Sequence, residues 1–135
     1  MSDNELEKIR QRKVEMLLRL SDIPKEIVNI NNEEHLNKLS NDFKDRIIII
    51  DFWAVWCAPC KMFAPTFHKL QQEYYKDFIF AKINVDDNPF IAQNFGISSI
   101  PTTLFIKGGQ VLKMLVGAMN YDTLKQTLER FRSEI

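Results

Sequence analysis

The strongest constraint on the fold is an apolar run near the middle of the chain, "RIIIIDFWA" at positions 46–54. Most of its residues are β-branched or aromatic, and polar residues do not alternate cleanly with apolar ones along it. A strand with one face in water shows that alternation, whereas a strand covered on both faces does not. The run therefore predicts a central strand in a sheet that has helices on both sides.

Strand and helix signals alternate around this run. "IVNI" predicts a short strand, and "FIFAKINVD" predicts a second buried strand. "TTLFIK" and "VLKMLVG" flank "GGQ", which is typical of a β-hairpin. Helices are predicted at residues 31–40, 57–75, 88–96 and 121–134. The order β-α-β-α-β-α-β-β-α predicts an α/β fold with a mixed sheet.

Residues 1–25 precede this pattern, so we divide the chain into an N-terminal helical extension and a domain at 26–135. Ser2 and Glu5 fit a capping box, and Pro24 ends the helical pattern. Apolar residues recur at near-helical spacing, at Leu6, Ile9, Met16, Leu17 and Leu20. We expect this helix to lie against the domain surface, with a dimer contact or a partner-docking segment as the alternative.

The charge balance gives no reason to expect a nucleic-acid or membrane partner. Lys and Arg together number 18, as do Asp and Glu, so the net charge is zero. The run Ile47–Ile50 is far too short to cross a bilayer, and the charged first twenty residues lack the apolar core of a secretory signal. We therefore expect a cytoplasmic protein, in which a C-x-x-C is more often catalytic or metal-binding than a lasting structural disulfide.

The two cysteines of the chain, Cys57 and Cys60, lie three positions apart in "WAVWCAPCK". At a helix start this spacing puts both sulfurs on nearly one face, where they can bond. Pro59 falls in the first turn, where its missing N–H costs nothing. The helix N-terminus favours a thiolate at Cys57. We predict that Cys57 attacks a substrate disulfide and that Cys60, one turn deeper and more shielded, resolves the mixed disulfide.

Two other interpretations of the cysteine pair are weaker. Structural zinc needs four ligands, and the chain adds only His35 and His68, which are both expected at the surface. We therefore predict no metal site. A structural disulfide over this span would close a very small loop and remove little chain entropy from the unfolded state.

Four segments together carry a resemblance to a known family: "IIIIDFWAVWCAPCKMFAP", "AKINVDDNP", "FGISSIPTTLFIKGG" and "LVGAMN". In this order they strongly resemble the thioredoxin family, from about Ile27 to Phe131. The resemblance implies the thioredoxin fold, with a central sheet of four or five strands. It also implies an enzyme that reduces protein disulfides and is itself reduced by a thioredoxin reductase-type electron donor. No metal or organic cofactor is expected, because the dithiol carries the electrons.

Asp51 and Lys82 are the charged residues that we expect to support the cysteines. Asp51 follows four isoleucines in a buried strand, so desolvation should raise its pKa. Such a group suits a proton acceptor and donor for Cys60, and the family carries an aspartate at this position. The alternative is a solvated carboxylate at a strand end. For Lys82 the resemblance implies contact with Asp51, and the alternative is an ammonium that reaches solvent.

The resemblance also implies a cis peptide bond before Pro101, facing the cysteines, with the backbone of Ile100 binding substrate chains. From sequence alone a trans bond is favoured, because only about 5–6% of X–Pro bonds are cis. We expect Trp53 in the core and Trp56 at the surface beside Cys57. The predicted substrate-binding patch consists of Trp56, Ala58, Pro59, Ile100 and Gly117, and its alternative is ordinary surface hydrophobicity.

Ala58 departs from the family's usual Cys-Gly-Pro-Cys. The residues between the thiols tune the reduction potential, so this potential stays open. One rival function is therefore a disulfide isomerase or oxidase on the same fold. The other rival is a non-catalytic thioredoxin-like binding module, which would be expected to lose a cysteine, whereas this chain keeps both.

Overall fold

The structure, a computed structural model, describes residues 2–135, and for residues 18–21 it describes the backbone only. Within that range the chain forms five strands, β1 Val28–Asn29, β2 Ile47–Trp53, β3 Ile79–Asn84, β4 Thr102–Lys107 and β5 Gln110–Val116. It also forms five helices, α1 Asp3–Ser21, α2 Glu33–Asp42, α3 Ala58–Tyr74, α4 Pro89–Asn94 and α5 Tyr121–Ser133. The predicted order of elements is confirmed.

The strands form one mixed sheet in the order β1-β3-β2-β4-β5. Strand β3 pairs in parallel with β1 and β2, while β4 pairs antiparallel with β2 and β5. Strand β2 therefore lies at the centre of the sheet. The predicted α/β architecture is confirmed, with five strands.

Strand β2 shows why its sequence does not alternate. Ile48, Ile50 and Phe52 pack into a core cluster that includes residues of α2 and α4. Ile47 and Ile49 point to the opposite face, where the cluster is completed by residues of α3 and α5, among them Phe63, Phe67, Leu124 and Leu128. Because helices cover both faces, apolar residues are favoured at every position of the strand.

Helix α1 does not pack as predicted. From Ser2 to Leu17 every side chain is exposed except that of Ile9, which is half-buried. Even Met16 and Leu17 are 62% and 65% exposed. Charged residues separate the apolar ones along this helix, so it lacks the broad apolar stripe that anchors a helix to a core. The expected packing against the domain is therefore wrong for these side chains, and Leu20 lies outside the described side chains.

No helix among the described residues is long and apolar enough to cross a membrane.

Candidate active site

The two cysteines lie at the junction of β2 and α3, and they form a disulfide with Cα atoms 5.3 Å apart. Cys57 is the N-cap of α3, with extended backbone angles. Its N–H donates to the carbonyl of Ala54 in a tight turn, and its carbonyl accepts the N–H of Lys61 at 3.2 Å. The turn after the central strand therefore places Cys57 at the start of the helix, as predicted.

The sulfur of Cys57 receives a backbone hydrogen bond. The N–H of Cys60 donates to Cys57 Sγ at 3.2 Å, and the carbonyl oxygen of Ile100 lies 3.8 Å from the same sulfur. An N–H group at a helix N-terminus stabilises negative charge on its acceptor. The hydrogen bond therefore gives the Cys57 sulfur a backbone donor at the start of α3.

The predicted difference in shielding between the cysteines is nearly absent. Cys57 is 4% exposed and Cys60 is 3% exposed. Both pack with Ala54 in one cluster, against Val85 and Ile100 from distant parts of the chain. These segments pack against both cysteines in the disulfide form, so the two residues differ in hydrogen bonding rather than in burial.

Asp51 is fully buried, on the face of β2 that also carries Ile49 and is covered by α3 and α5. Neither of its carboxylate oxygens has a hydrogen-bond partner in the described part of the chain. Burial raises the pKa of Asp51 from 3.8 to about 6, and the charge of Lys82 lowers it by less. The predicted rise in pKa is confirmed, and the alternative of a solvated strand end is wrong.

Lys82 reaches Asp51 and also keeps some contact with water. The two residues are paired in the parallel register of β2 and β3. Lys82 Nζ lies 3.9 Å from Asp51 Oδ2 and 5.6 Å from the centroid of the Trp53 ring. The lysine side chain is 20% exposed. At this separation the ammonium attracts the carboxylate without a hydrogen bond, so it offsets only part of the desolvation.

The predicted substrate-binding residues form the surroundings of the cysteines. The Ile100–Pro101 peptide bond is cis, and Pro101 is buried. The carbonyl of Pro101 accepts the N–H of Gly117 at 2.8 Å, which joins the loop before β4 to the end of β5. Ile100 and Gly117 are half-buried, while Ala58 and Pro59 are exposed.

Trp56 is 69% exposed, as predicted, and its indole Nε1 donates to Asp86 Oδ2 at 2.8 Å. Trp53 is half-buried against the cysteine cluster rather than fully in the core. Sequence reasoning missed Asp86 as the partner of Trp56. Its signal was the acidic pair after β3 in "NVDDNP", because the ends of the parallel strands β2 and β3 meet at one edge of the sheet.

Residues 26–130 match the family model described as Thioredoxin. The chain belongs to the thioredoxin family. It is 47% identical to Thioredoxin 1 of Nostoc sp. over 83 residues, which cover 62% of this chain and 78% of that protein. It is 45% identical to a thioredoxin of Chlorobaculum thiosulfatiphilum over 85 residues, covering 63% and 79%.

Solved thioredoxin structures share the fold as well. The crystal structure of Malassezia sympodialis thioredoxin superimposes with a TM-score of 0.72 at 33% identity, covering 82% of this chain and 95% of that one. Together with the Cys57–Cys60 disulfide, the family establishes a protein-disulfide oxidoreductase. In the part of the chain that the structure describes, no three His, Cys, Asp or Glu residues are grouped so that they could hold a metal ion.

Proposed function

We propose that Cys57 is the nucleophile of this thiol-disulfide oxidoreductase and that Cys60 resolves the mixed disulfide. The Cys57 thiolate attacks one sulfur of a substrate disulfide, forming an intermolecular disulfide and releasing the other substrate sulfur as a thiolate. Cys60 then loses its proton and attacks Cys57 Sγ. The Cys57–Cys60 disulfide forms, the second substrate thiolate leaves, and two electrons have passed to the substrate. The hydrogen bond from the Cys60 N–H to Cys57 Sγ carries this assignment.

We propose that Asp51 takes the proton that Cys60 releases. Its pKa of about 6 lies close enough to neutrality for the carboxyl to accept and return a proton in each cycle. It lies on the face of the sheet that α3 covers, and α3 carries Cys60. Lys82 is the proposed supporting cation, because it is the charge that limits the rise in the pKa of Asp51.

We propose that substrates bind across the surface around the cysteines, formed by the exposed Trp56, Ala58 and Pro59 and the half-buried Ile100 and Gly117. Exposed apolar groups next to a reactive sulfur favour an extended, largely apolar protein segment. The carbonyl of the buried Pro101 accepts a hydrogen bond from the N–H of Gly117, which holds these two segments of the surface together. We further propose that the protein acts in the cytoplasm, because a reduced dithiol persists in a reducing compartment.

The electron donor is proposed to be a reductase of the thioredoxin reductase type, and the substrates to be proteins with accessible disulfides. The test is reduction of insulin disulfides, coupled to NADPH through such a reductase. We expect turnover, together with a reduction potential nearer the −270 mV typical of thioredoxin than the −180 mV typical of disulfide isomerase. A potential near the second value, with poor coupling to the reductase, would indicate an isomerase or oxidase instead.

We propose that residues 26–135 form the catalytic domain and that residues 1–25 are an extension without a chemical role. Deleting residues 2–20 should leave insulin reduction within about twofold, because surface changes away from buried features usually alter stability little. The deletion stops before Ile23, which is buried, and before Lys25, whose carbonyl accepts a hydrogen bond from Gln71. A large fall in activity with an unchanged melting temperature would show that the helix contributes to the site.

A further inference from the structure

A row of polar side chains crosses the sheet beneath α3, and one member has no assigned role. Asp51 on β2 is paired with Lys82 on β3 and, on its other side, with Thr103 on β4. Each lies on the same face as an aromatic or aliphatic residue of the α3–α5 cluster, namely Ile49, Phe80 and Phe105. The three strands therefore bring a cation, a carboxyl group and a hydroxyl group side by side on one buried face.

Thr103 is fully buried, and its hydroxyl is unpaired. In the described part of the chain Thr103 Oγ1 has no hydrogen-bond partner, and the same holds for both carboxylate oxygens of Asp51. Leaving a buried polar group unpaired is costly, and such groups usually call for an explanation. Here two unpaired groups, a donor and an acceptor, stand directly opposite each other on neighbouring strands.

The register of β2 against β4 puts the two side chains at neighbouring positions on one face. Directly opposed residues of an antiparallel pair have Cβ atoms roughly 4.5–5.5 Å apart on a shared face. Rotation of the Thr103 side chain about χ1, or one bridging water, closes the contact with Asp51. From these positions we propose that Thr103 is a positioning residue whose hydroxyl donates to the Asp51 carboxylate and favours its charged form.

Other charged groups do not offer Asp51 a comparable partner. From β3 it faces only Lys82, which is too distant for a hydrogen bond. From α5, Glu129 accepts the hydroxyl of Tyr74, and the Lys125 ammonium donates to Tyr121. In α3 the charged residues and the histidine are exposed, namely Lys61, His68, Lys69 and Glu73, and the buried Tyr74 donates its hydroxyl to Glu129.

The proposed contribution of Thr103 to catalysis rests on the proposed role of Asp51, but its test does not use turnover. The oxidised protein is used, because Cys57 and Cys60 do not titrate in the disulfide form. The carboxyl carbon of aspartate is labelled with ¹³C and followed by NMR as the pH is raised. An Asp51→Asn variant identifies the Asp51 signal.

Thr103→Val removes the hydroxyl and keeps the shape of the side chain. We expect it to raise the pKa of Asp51 by about one unit, since a lost hydrogen bond to a charged group disfavours that form. Thr103→Ser keeps the hydroxyl and should leave the pKa within about 0.3 units of the parent's. Should Thr103→Val fail to fold, Thr103→Ala tests the same loss with a smaller side chain.

Three outcomes decide whether the Thr103 hydroxyl donates to Asp51, independently of the proposed function. An unchanged Asp51 pKa in Thr103→Val overturns the proposal, as does a rise in Thr103→Ser equal to that in Thr103→Val. A rise confined to the variants without a hydroxyl supports it, even if Asp51 proves unnecessary for turnover. In the reduced protein the same variants should then move the acid limb of insulin reduction to higher pH, in step with the NMR shift, because Asp51 must be ionised to accept the Cys60 proton.

Discussion

Replacing Cys57 with serine should abolish reduction of insulin disulfides, with a loss on the order of a thousandfold or more. Serine keeps the shape of the side chain but removes the sulfur that forms the first covalent bond to substrate. The fold should survive, because the Cys57–Cys60 disulfide closes a loop of only three residues in sequence separation and contributes little chain entropy. An insulin-reduction assay coupled to a reductase tests the loss of activity, and circular dichroism tests whether the fold survives.

Cys60→Ser is the matched control, because it also removes one sulfur and prevents the internal disulfide. It too should stop turnover, but it should still attack substrate once and remain attached to it. Mass spectrometry of the reduced variants with a disulfide substrate should show a covalent adduct on Cys60→Ser and almost none on Cys57→Ser. Equal rates of adduct formation in the two variants would contradict the assignment of Cys57 as nucleophile and Cys60 as resolving cysteine.

Replacing Asp51 with alanine should make the protein more stable at pH 7 and slower in catalysis. The folded-state pKa of Asp51 is about 6 against 3.8 for the ordinary group, so folding favours the neutral carboxyl. The neutral Asp51 carboxyl stabilises the folded state fully below pH 3.8, and this stabilisation is lost as the pH rises through about 6. A shift of about two units corresponds to about 3 kcal/mol at neutral pH.

The alanine variant no longer buries an ionised carboxylate at pH 7, but the smaller side chain leaves a cavity that lowers the gain in stability. We expect a net gain of about 2 kcal/mol at pH 7, or roughly 7 °C in melting temperature. The gain should disappear near pH 3, where Asp51 is neutral in both states. Resolution of the mixed disulfide by Cys60 should slow by about 100-fold, within the usual range for a lost general base.

Asp42→Ala serves as the control for removing a carboxylate. The side chain of Asp42 is 51% exposed and is paired with Lys38 at 2.9 Å. A surface pair of this kind contributes little, so the control should change stability by less than about 1 kcal/mol at either pH. If Asp51→Ala instead melts lower at pH 7, Asp51 is a satisfied partner of Lys82, and its role as proton carrier loses its physical basis.

The central strand shows how much of the fold a sequence can predict. Its isoleucine run indicated burial on both faces, and that burial in turn predicted the raised pKa of Asp51. The position of Cys57 at the helix start also followed from local chemistry, since Pro59 restricts where the helix can begin. These features depend on residues that are close in sequence, namely the absence of polar residues from the isoleucine run and the proline at the helix start.

Features that depend on distant segments were not predictable in the same way. The near-equal burial of the two cysteines depends on Val85 and Ile100, which pack against them from other loops. The position of Thr103 opposite Asp51 depends on the register of β2 against β4, which no local sequence pattern predicts. The exposure of α1 likewise depends on whether the domain offers a complementary surface.

The most direct test of the central claim is to find which thiol of the reduced parent protein reacts first. The protein is treated with less than one equivalent of iodoacetamide at neutral pH, digested, and its labelled peptides are separated by mass spectrometry. We expect the label on Cys57, whose sulfur accepts the backbone hydrogen bond at the helix N-terminus. A label found mainly on Cys60, or divided equally between the two cysteines, would contradict it.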